Sequence, residues 1–119
     1  KQVVDIEKGK AKNEILVGNL DAIRDFSDVR DIVSTYADLL ENETCGVFNV
    51  GSGLAYSIKD ILNKTISKST IRITYKIDKS KIRPLDTPYI CCNKNKLNQS
   101  FKYKIDDTIE WILLYDRKN

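Results

Sequence analysis

The sequence predicts an α/β unit, in the sense of an α+β fragment, and two patterns carry that prediction. Segments with helical apolar spacing alternate with short apolar runs closed by Gly, Asn or Pro. Within them, Ile71, Ile73, Tyr75 and Ile77 alternate with Arg72, Thr74, Lys76 and Asp78, the two-residue period of a strand buried on one face and wet on the other. A length of 119 residues allows one domain and no more.

Taken in order, the first dozen residues read as the end of a helix with Val3, Val4 and Ile6 on its apolar side, stopped by Gly9 between two lysines. Glu14 to Val17 is a short strand closed by the turn pair Gly18-Asn19. Ser27 or Asp28 caps a helix whose Val29, Ile32, Val33, Tyr36, Ala37 and Leu40 share one face. Gly46 to Val50 reads as a buried strand, followed by the loop Gly51 to Tyr56. Ser57 with Asp60 opens the next helix, with Ile58, Ile61, Leu62 and Ile66 as its stripe. Arg83-Pro84 to Pro88 is a proline-bounded loop. Tyr89 to Cys92 reads as a short strand and Asn93 to Gln99 as a short helix. Asp107 with Glu110 caps a last helix through Trp111 and Leu114.

Composition removes several kinds of function. The chain has no His, so it holds no Ser–His or Cys–His nucleophilic pair and no imidazole metal ligand. Cys45, Cys91 and Cys92 form no C-x-x-C pair, which argues against zinc and against a secreted disulfide framework. They read as small buried hydrophobes in a reducing, cytoplasmic setting. No apolar run approaches the length of a membrane span. The net charge of +3 is unevenly spread. From Asn13 to Ile58 eight acids stand against two arginines, whereas from Lys59 to Lys104 ten lysines and two arginines stand against three aspartates. A basic half of this kind suits a phosphorylated small molecule. It lacks the interleaved aromatics of a base-stacking platform, so nucleic acid is not expected as a partner.

Two motifs invite catalytic readings that their context opposes. Gly51-x-Gly53 lies between a strand and a helix as in a dinucleotide fingerprint, but the third position is Tyr56, where close packing wants Gly or Ala. Tyr75-x-x-x-Lys79 has the spacing of a reductase proton-transfer pair, which needs both side chains on one helical face. Here Tyr75 belongs to an alternating strand, pointing inward, and Lys79 lies past its end. Arg24, just before a helix, and Arg83, in a stiff proline turn, are better candidates. Two permanently charged planar forks that converge suit a diphosphate, and Asp86 can accept from a hydroxyl or base N–H. The plain alternative is that Arg24 pairs with Asp25 or Asp28, and Arg83 with Asp86, as surface ion pairs.

The stretch Val17-Gly18-Asn19-Leu20-Asp21-Ala22-Ile23-Arg24-Asp25-Phe26-Ser27-Asp28 resembles the C-terminal region of extended short-chain dehydrogenases/reductases that act on GDP-sugars. Among these it is most similar to the GDP-4-keto-6-deoxymannose reductases and the GDP-mannose 4,6-dehydratases. Val47-Phe48-Asn49-Val50-Gly51-Ser52-Gly53 and Arg83-Pro84-x-Asp86 agree in order and spacing. The resemblance implies that Arg24 and Arg83 grip the diphosphate of a GDP-sugar. Ser57 is then near the nucleotide, Asp86 bonds its ribose or guanine side, and Ile15 to Val17 border the base. It further implies NADP or NAD in the whole enzyme, with the catalytic Tyr-x-x-x-Lys and the cofactor loop upstream. Residues 1–119 are then a single nucleotide-sugar-binding portion without the N-terminal Rossmann core, inactive alone and with no catalytic, cofactor or metal residue of its own. The helix over Asp31 to Leu40 and the strand Val47 to Val50 pack on that core in the family. Their apolar faces are therefore expected to be orphaned here, with homo-oligomer contact, altered packing or marginal stability as consequences. A stand-alone binding module and a small basic nucleic-acid binder remain as competing readings, and reductase, dehydratase and epimerase chemistry are not separated by these residues.

Overall fold

The computed structural model describes residues 1–94, 97 and 100–119. In chain order the elements are α1 (Gln2–Glu7), β1 (Glu14–Val17), β2 (Ile23–Asp25), α2 (Val29–Glu41), β3 (Ala55–Ser57), α3 (Ile58–Ser67), β4 (Thr74–Ile77), a 3-10 turn (Lys79–Lys81), β5 (Tyr89–Ile90) and α4 (Ile105–Lys118). This is the mixed α/β composition the sequence predicts.

The short strands form two small sheets. β1 and β4 run parallel, with Glu14 opposite Thr74 and Val17 opposite Ile77. β2 is the middle strand of the other sheet, antiparallel to β3 and parallel to β5. The core lies under the first sheet, where Val3, Val4 and Ile6 of α1 meet Ile15, Ile73 and the α4 residues Ile109 and Leu113. α1 stops where expected. Gly9 takes φ +69°, a conformation glycine adopts without a Cβ clash, and the Lys10 N–H turns back to the Asp5 carbonyl at 2.8 Å.

One carboxylate fastens this core. Glu7 accepts both prongs of the Arg117 guanidinium at 2.8 Å, the Ser69 hydroxyl at 3.1 Å and the Thr70 N–H at 2.9 Å. It therefore joins α1, the turn after α3 and the end of α4. The Arg117 hydrogen bonds dominate over burial and pull the Glu7 pKa from 4.5 to about 2.

The apolar stripe of α2 is orphaned, as expected: Val29, Val33, Tyr36 and Leu40 are exposed, Leu40 at 81%. Asp31 and Thr35, on the other face, are the buried residues. The reason is polar satisfaction. Asp31 accepts the N–H groups of Lys102 and Tyr103, both at 3.0 Å, and buried donors bind α2 more strongly than an apolar stripe with nothing opposite it. Arg30 adds to this seam by lying over the rings of Tyr103 and Trp111, 3.7 and 4.5 Å from their centroids.

The structure corrects several local expectations. Residues 46–50 form no strand, and Val47 is 88% exposed because no sheet edge lies beside it. β4 is exposed on both sides apart from the preceding Ile73, so Tyr75 does not point into a core. β2 and β3 fall where loop was expected, since each exists only through the other's hydrogen bonds. Cys45 is exposed, and Cys91 and Cys92 are half-buried. α4 begins at Ile105, so Asp107 sits inside its first turn and accepts the Lys104 N–H at 3.1 Å. The helix expected over Asn93 to Gln99 falls largely outside the described residues.

The body is flat, 50 × 36 × 18 Å, with a radius of gyration of 16.9 Å, against about 13–14 Å for a compact chain of this length. A slab one or two elements thick leaves its apolar faces in water, as the exposed α2 and α4 residues show.

Two outcomes follow. Glu7→Gln is expected to lower stability by ~2 kcal/mol at pH 7. Because the folded pKa lies below the unfolded one, this contribution is complete above about pH 5 and is lost as pH falls towards 2, so urea unfolding at pH 3 should show a smaller gap between variant and parent. Leu40→Gln should shift stability by less than about 0.5 kcal/mol, whereas Ile6→Ala costs roughly 2–4 kcal/mol in the same assay.

Candidate functional site

β2 positions the site by the alternation of its side chains. Arg24 projects to one side of the three-stranded sheet, and Asp25, the next residue, belongs to the opposite side. Arg24 lines an open cleft of about 290 Å³ together with Asn19, Ala22, Ile58, Lys81, Arg83 and Asp86. Three of the four sequence-predicted residues, Arg24, Arg83 and Asp86, thus come from distant parts of the chain to one place. Three cations face one carboxylate there.

The pairing inside the cleft differs from both surface alternatives. Arg24 bonds neither Asp25 nor Asp28. Its Nη2 donates to Asp86 Oδ1 at 2.6 Å, and its Nη1 donates to the carbonyl of Ile23 at 2.7 Å. The second oxygen of Asp86 accepts from Asn19 Nδ2 at 3.0 Å, while Asn19 Oδ1 caps the turn by accepting the Asp21 N–H. Arg83, at the start of its proline loop, has no hydrogen bond or ion pair to any described residue. Its charge is available to a ligand.

Ser57 is placed differently. Its hydroxyl lies 2.7 Å from Asp60 Oδ2 and accepts the Asp60 N–H at 3.0 Å, closing the capping box at the start of α3. The next residue, Ile58, lines the cleft, and its N–H bonds the Ala22 carbonyl at 3.0 Å. Ser57 therefore fixes the wall that Ile58 presents.

Asn19 and Lys81 are cleft residues that sequence reasoning passed over. Gly18-Asn19 is legible as a turn, but the reach of Asn19 to Asp86 depends on tertiary placement. Lys81 enters through a close approach: a Cβ on Gly18 would lie 2.6 Å from the Lys81 carbonyl oxygen, so only glycine lets the 3-10 turn settle against β1. Lys81 Nζ then reaches the Leu16 carbonyl at 3.1 Å. A smaller hollow of about 210 Å³ shares Asn19 with the cleft and is walled by Tyr75, Ile77 and Ile82.

Behind the sheet, Asp25 holds the loop that resembles a phosphate cradle. Its carboxylate accepts the N–H groups of Ser52, Gly53 and Cys92, at 3.1, 2.8 and 3.2 Å, and the hydroxyls of Ser52 and Ser27. Burial raises the Asp25 pKa, but the hydrogen bonds outweigh it and hold the group below the usual carboxylate range. The amides of Ser52 and Gly53 are thus spent on the protein's own anion, and this loop does not fit the pyrophosphate of a dinucleotide. Gly51 is required there because a Cβ would meet Cys92 Cβ at 2.6 Å. Tyr75 and Lys79 lie on β4 and on the following turn, not on one helical face.

A larger hollow of about 740 Å³ along the inner face of α2 is lined by Arg30, Asp31, Lys102 and Tyr103 among others. Of its charged groups, Arg30 is committed to Asp28 and Asp31 to the N–H groups of Lys102 and Tyr103. No group of three or more Cys, Asp or Glu among the described residues is arranged to hold a metal ion. No helix among them is long and apolar enough to cross a membrane.

Comparison with known proteins places the chain among short-chain dehydrogenases/reductases of the NAD-dependent epimerase/dehydratase type. The family model described as GDP-mannose 4,6 dehydratase matches residues 1–113, and the chain belongs to that family. It is 26% identical over 111 residues to the GDP-6-deoxy-D-mannose reductase of Pseudomonas aeruginosa, covering 92% of this chain and 36% of the relative. To the GDP-6-deoxy-D-talose 4-dehydrogenase of Aggregatibacter actinomycetemcomitans it is 32% identical over 92 residues, covering 74% of this chain and 30% of the relative. Among solved structures, RMD from Pseudomonas aeruginosa complexed with NADPH superposes with a TM-score of 0.88 at 23% identity, over 98% of this chain and 40% of that one. A putative epimerase from Burkholderia cenocepacia gives 0.79 at 29% identity, over 99% and 40%. The chain thus spans about a third of the length of the curated relatives it matches.

Replacing Asp25 with Ala is expected to destabilise the fold by roughly 2 kcal/mol, because several donors lose one acceptor. Burial and the Asp25 charge now raise the Cys92 thiol pKa. Alkylation of Cys92 should accordingly speed up in Asp25→Ala, read by mass spectrometry with Cys45 as the internal standard.

Proposed function

We propose that residues 1–119 form the GDP-sugar-binding side of an NAD(P)-dependent nucleotide-sugar enzyme that reduces, dehydrates or epimerises its substrate. The observation that carries this reading is the convergence of Arg24 and Arg83 on one cleft, with Arg83 unpaired among the described residues. Two guanidinium forks neutralise a diphosphate and hold it in register, which a lone lysine does not. The adjoining hollow, with Tyr75 and Ile82 as apolar walls and Gly18, just past β1, at its edge, suits the base. Asp86 suits a ribose hydroxyl. Ser57 contributes by capping α3 and so fixing Ile58.

The chain's own residues bind and orient; they do not carry the hydride step. Tyr75 and Lys79 lack the geometry for it, and the Ser52 and Gly53 amides are occupied by Asp25. The nicotinamide cofactor supplies hydride chemistry in the whole enzyme, held by a portion that these residues do not contain. The exposed stripes of α2 and α4 are the surfaces such a portion covers. The 119 residues alone are expected to bind GDP weakly and to catalyse nothing, since one wall of the pocket is supplied from elsewhere.

Isothermal titration of GDP tests the assignment. Arg83→Ala and Arg24→Ala should each weaken binding about tenfold or more. Unchanged affinity in both variants would sink the diphosphate reading, and binding to generic DNA with a steep salt dependence in place of GDP binding would favour a nucleic-acid role.

A further inference from the structure

We propose that Asp86 makes the cleft selective for a nucleoside diphosphate over a bare diphosphate, by occupying Arg24 until a ribose hydroxyl takes the carboxylate over. The inference rests on the reading of the cleft as a diphosphate site and adds a gate to it. Asp86 Oδ1 lies 2.6 Å from Arg24 Nη2, the position a phosphate oxygen needs. Both side chains are only 24% exposed, so solvent screens their attraction little. A bare anion entering the cleft meets a carboxylate already seated on one of its two guanidinium groups. It must displace that carboxylate or accept like-charge repulsion beside it.

Asn19 determines where the displaced carboxylate stays. Its Nδ2 holds Asp86 Oδ2 at 3.0 Å, and its own Oδ1 is anchored on the Asp21 N–H, so the far oxygen of Asp86 is tethered while the near one is exchangeable. A ligand that brings hydroxyl donors along with its phosphates gives Oδ1 a new partner and releases Arg24. A ligand of phosphate alone gives it none, and leaves that oxygen of a half-buried carboxylate without its donor, which is costly. Arg83, unpaired, and Lys81, tied to a backbone carbonyl, supply first attraction to either ligand. Arg24, by contrast, becomes available only to the one that satisfies Asp86.

The test compares inorganic pyrophosphate, GDP and 2′,3′-dideoxy-GDP by calorimetry on the parent chain, Asp86→Asn and Asp86→Ala, with circular dichroism melts to establish that each variant is folded. Asn at this position keeps the shape and the Asn19 contact region while removing the charge. The parent should bind GDP better than pyrophosphate, and the dideoxy compound should fall towards pyrophosphate. Both variants should bind pyrophosphate about tenfold more tightly than the parent, and the preference for GDP should shrink accordingly. Pyrophosphate affinity that is unchanged or weaker in both variants overturns the gate, even where GDP binding depends on Arg83 and the diphosphate reading stands. Absence of binding by all three ligands to the parent and to both folded variants overturns the diphosphate reading and the gate together.

Discussion

Asp25 is one residue behind Arg24 on a three-residue strand, and the placement of the cleft depends on what its carboxylate collects. β2 is too short to hold a sheet by its own ladder. The N–H groups of Ser52 and Gly53 on one side and Cys92 on the other converge on Asp25, pinning β3 and β5 against it. Because side chains alternate along a strand, fixing Asp25 behind the sheet fixes Arg24 in front of it. The anchor is also electrostatically self-consistent. The donors keep the carboxylate charged in a half-buried place, and the charge keeps the glycine loop wrapped.

The same device recurs at intervals of three residues. Asp28 caps α2, grips Arg30 through two hydrogen bonds and takes the Thr108 hydroxyl at 2.6 Å, with its pKa held far below the carboxylate range chiefly by Arg30. Asp31 takes the two N–H groups that precede α4. Asp25, Asp28 and Asp31 thus bind three distant segments to one short stretch, while Glu7 closes the opposite end against Arg117. Carboxylates rather than apolar burial set the arrangement of these segments. The apolar core is small, and the chain is a slab whose α2 stripe and Val47 remain in water. Family membership gives that inversion a physical sense, since the chain corresponds to about 40% of the solved relatives with which it superposes.

Much of the secondary structure was legible because it is encoded locally. α1 ends at Gly9, α3 starts at the Ser57–Asp60 capping box, and β1 closes at Gly18-Asn19, each through interactions within a few residues. β2 and β3 were not legible: three residues have no readable period, and each strand is defined by its partner. The strand expected at Gly46 to Val50 shows the converse, a sequence with strand character and no neighbouring edge to pair with. For the cleft, the sequence could nominate Arg24, Arg83 and Asp86 through their chemistry and their resemblance to a family. It could not show that Asp86 sits on Arg24 rather than Arg83, because the difference lies in how the proline loop folds back over β2.

By itself the sequence determined the α/β character, the end of α1 and the start of α3, the lack of imidazole chemistry and the residue types suited to a diphosphate. These follow from period, capping and side-chain chemistry, which are properties of neighbours along the chain. Only the tertiary structure decided which face of α2 is buried, that the glycine loop closes on Asp25, and that Asn19, Lys81 and Arg83 share a cleft with Arg24. Those outcomes rest on hydrogen bonds between residues tens of positions apart, where satisfying a buried donor or acceptor outweighs local pattern.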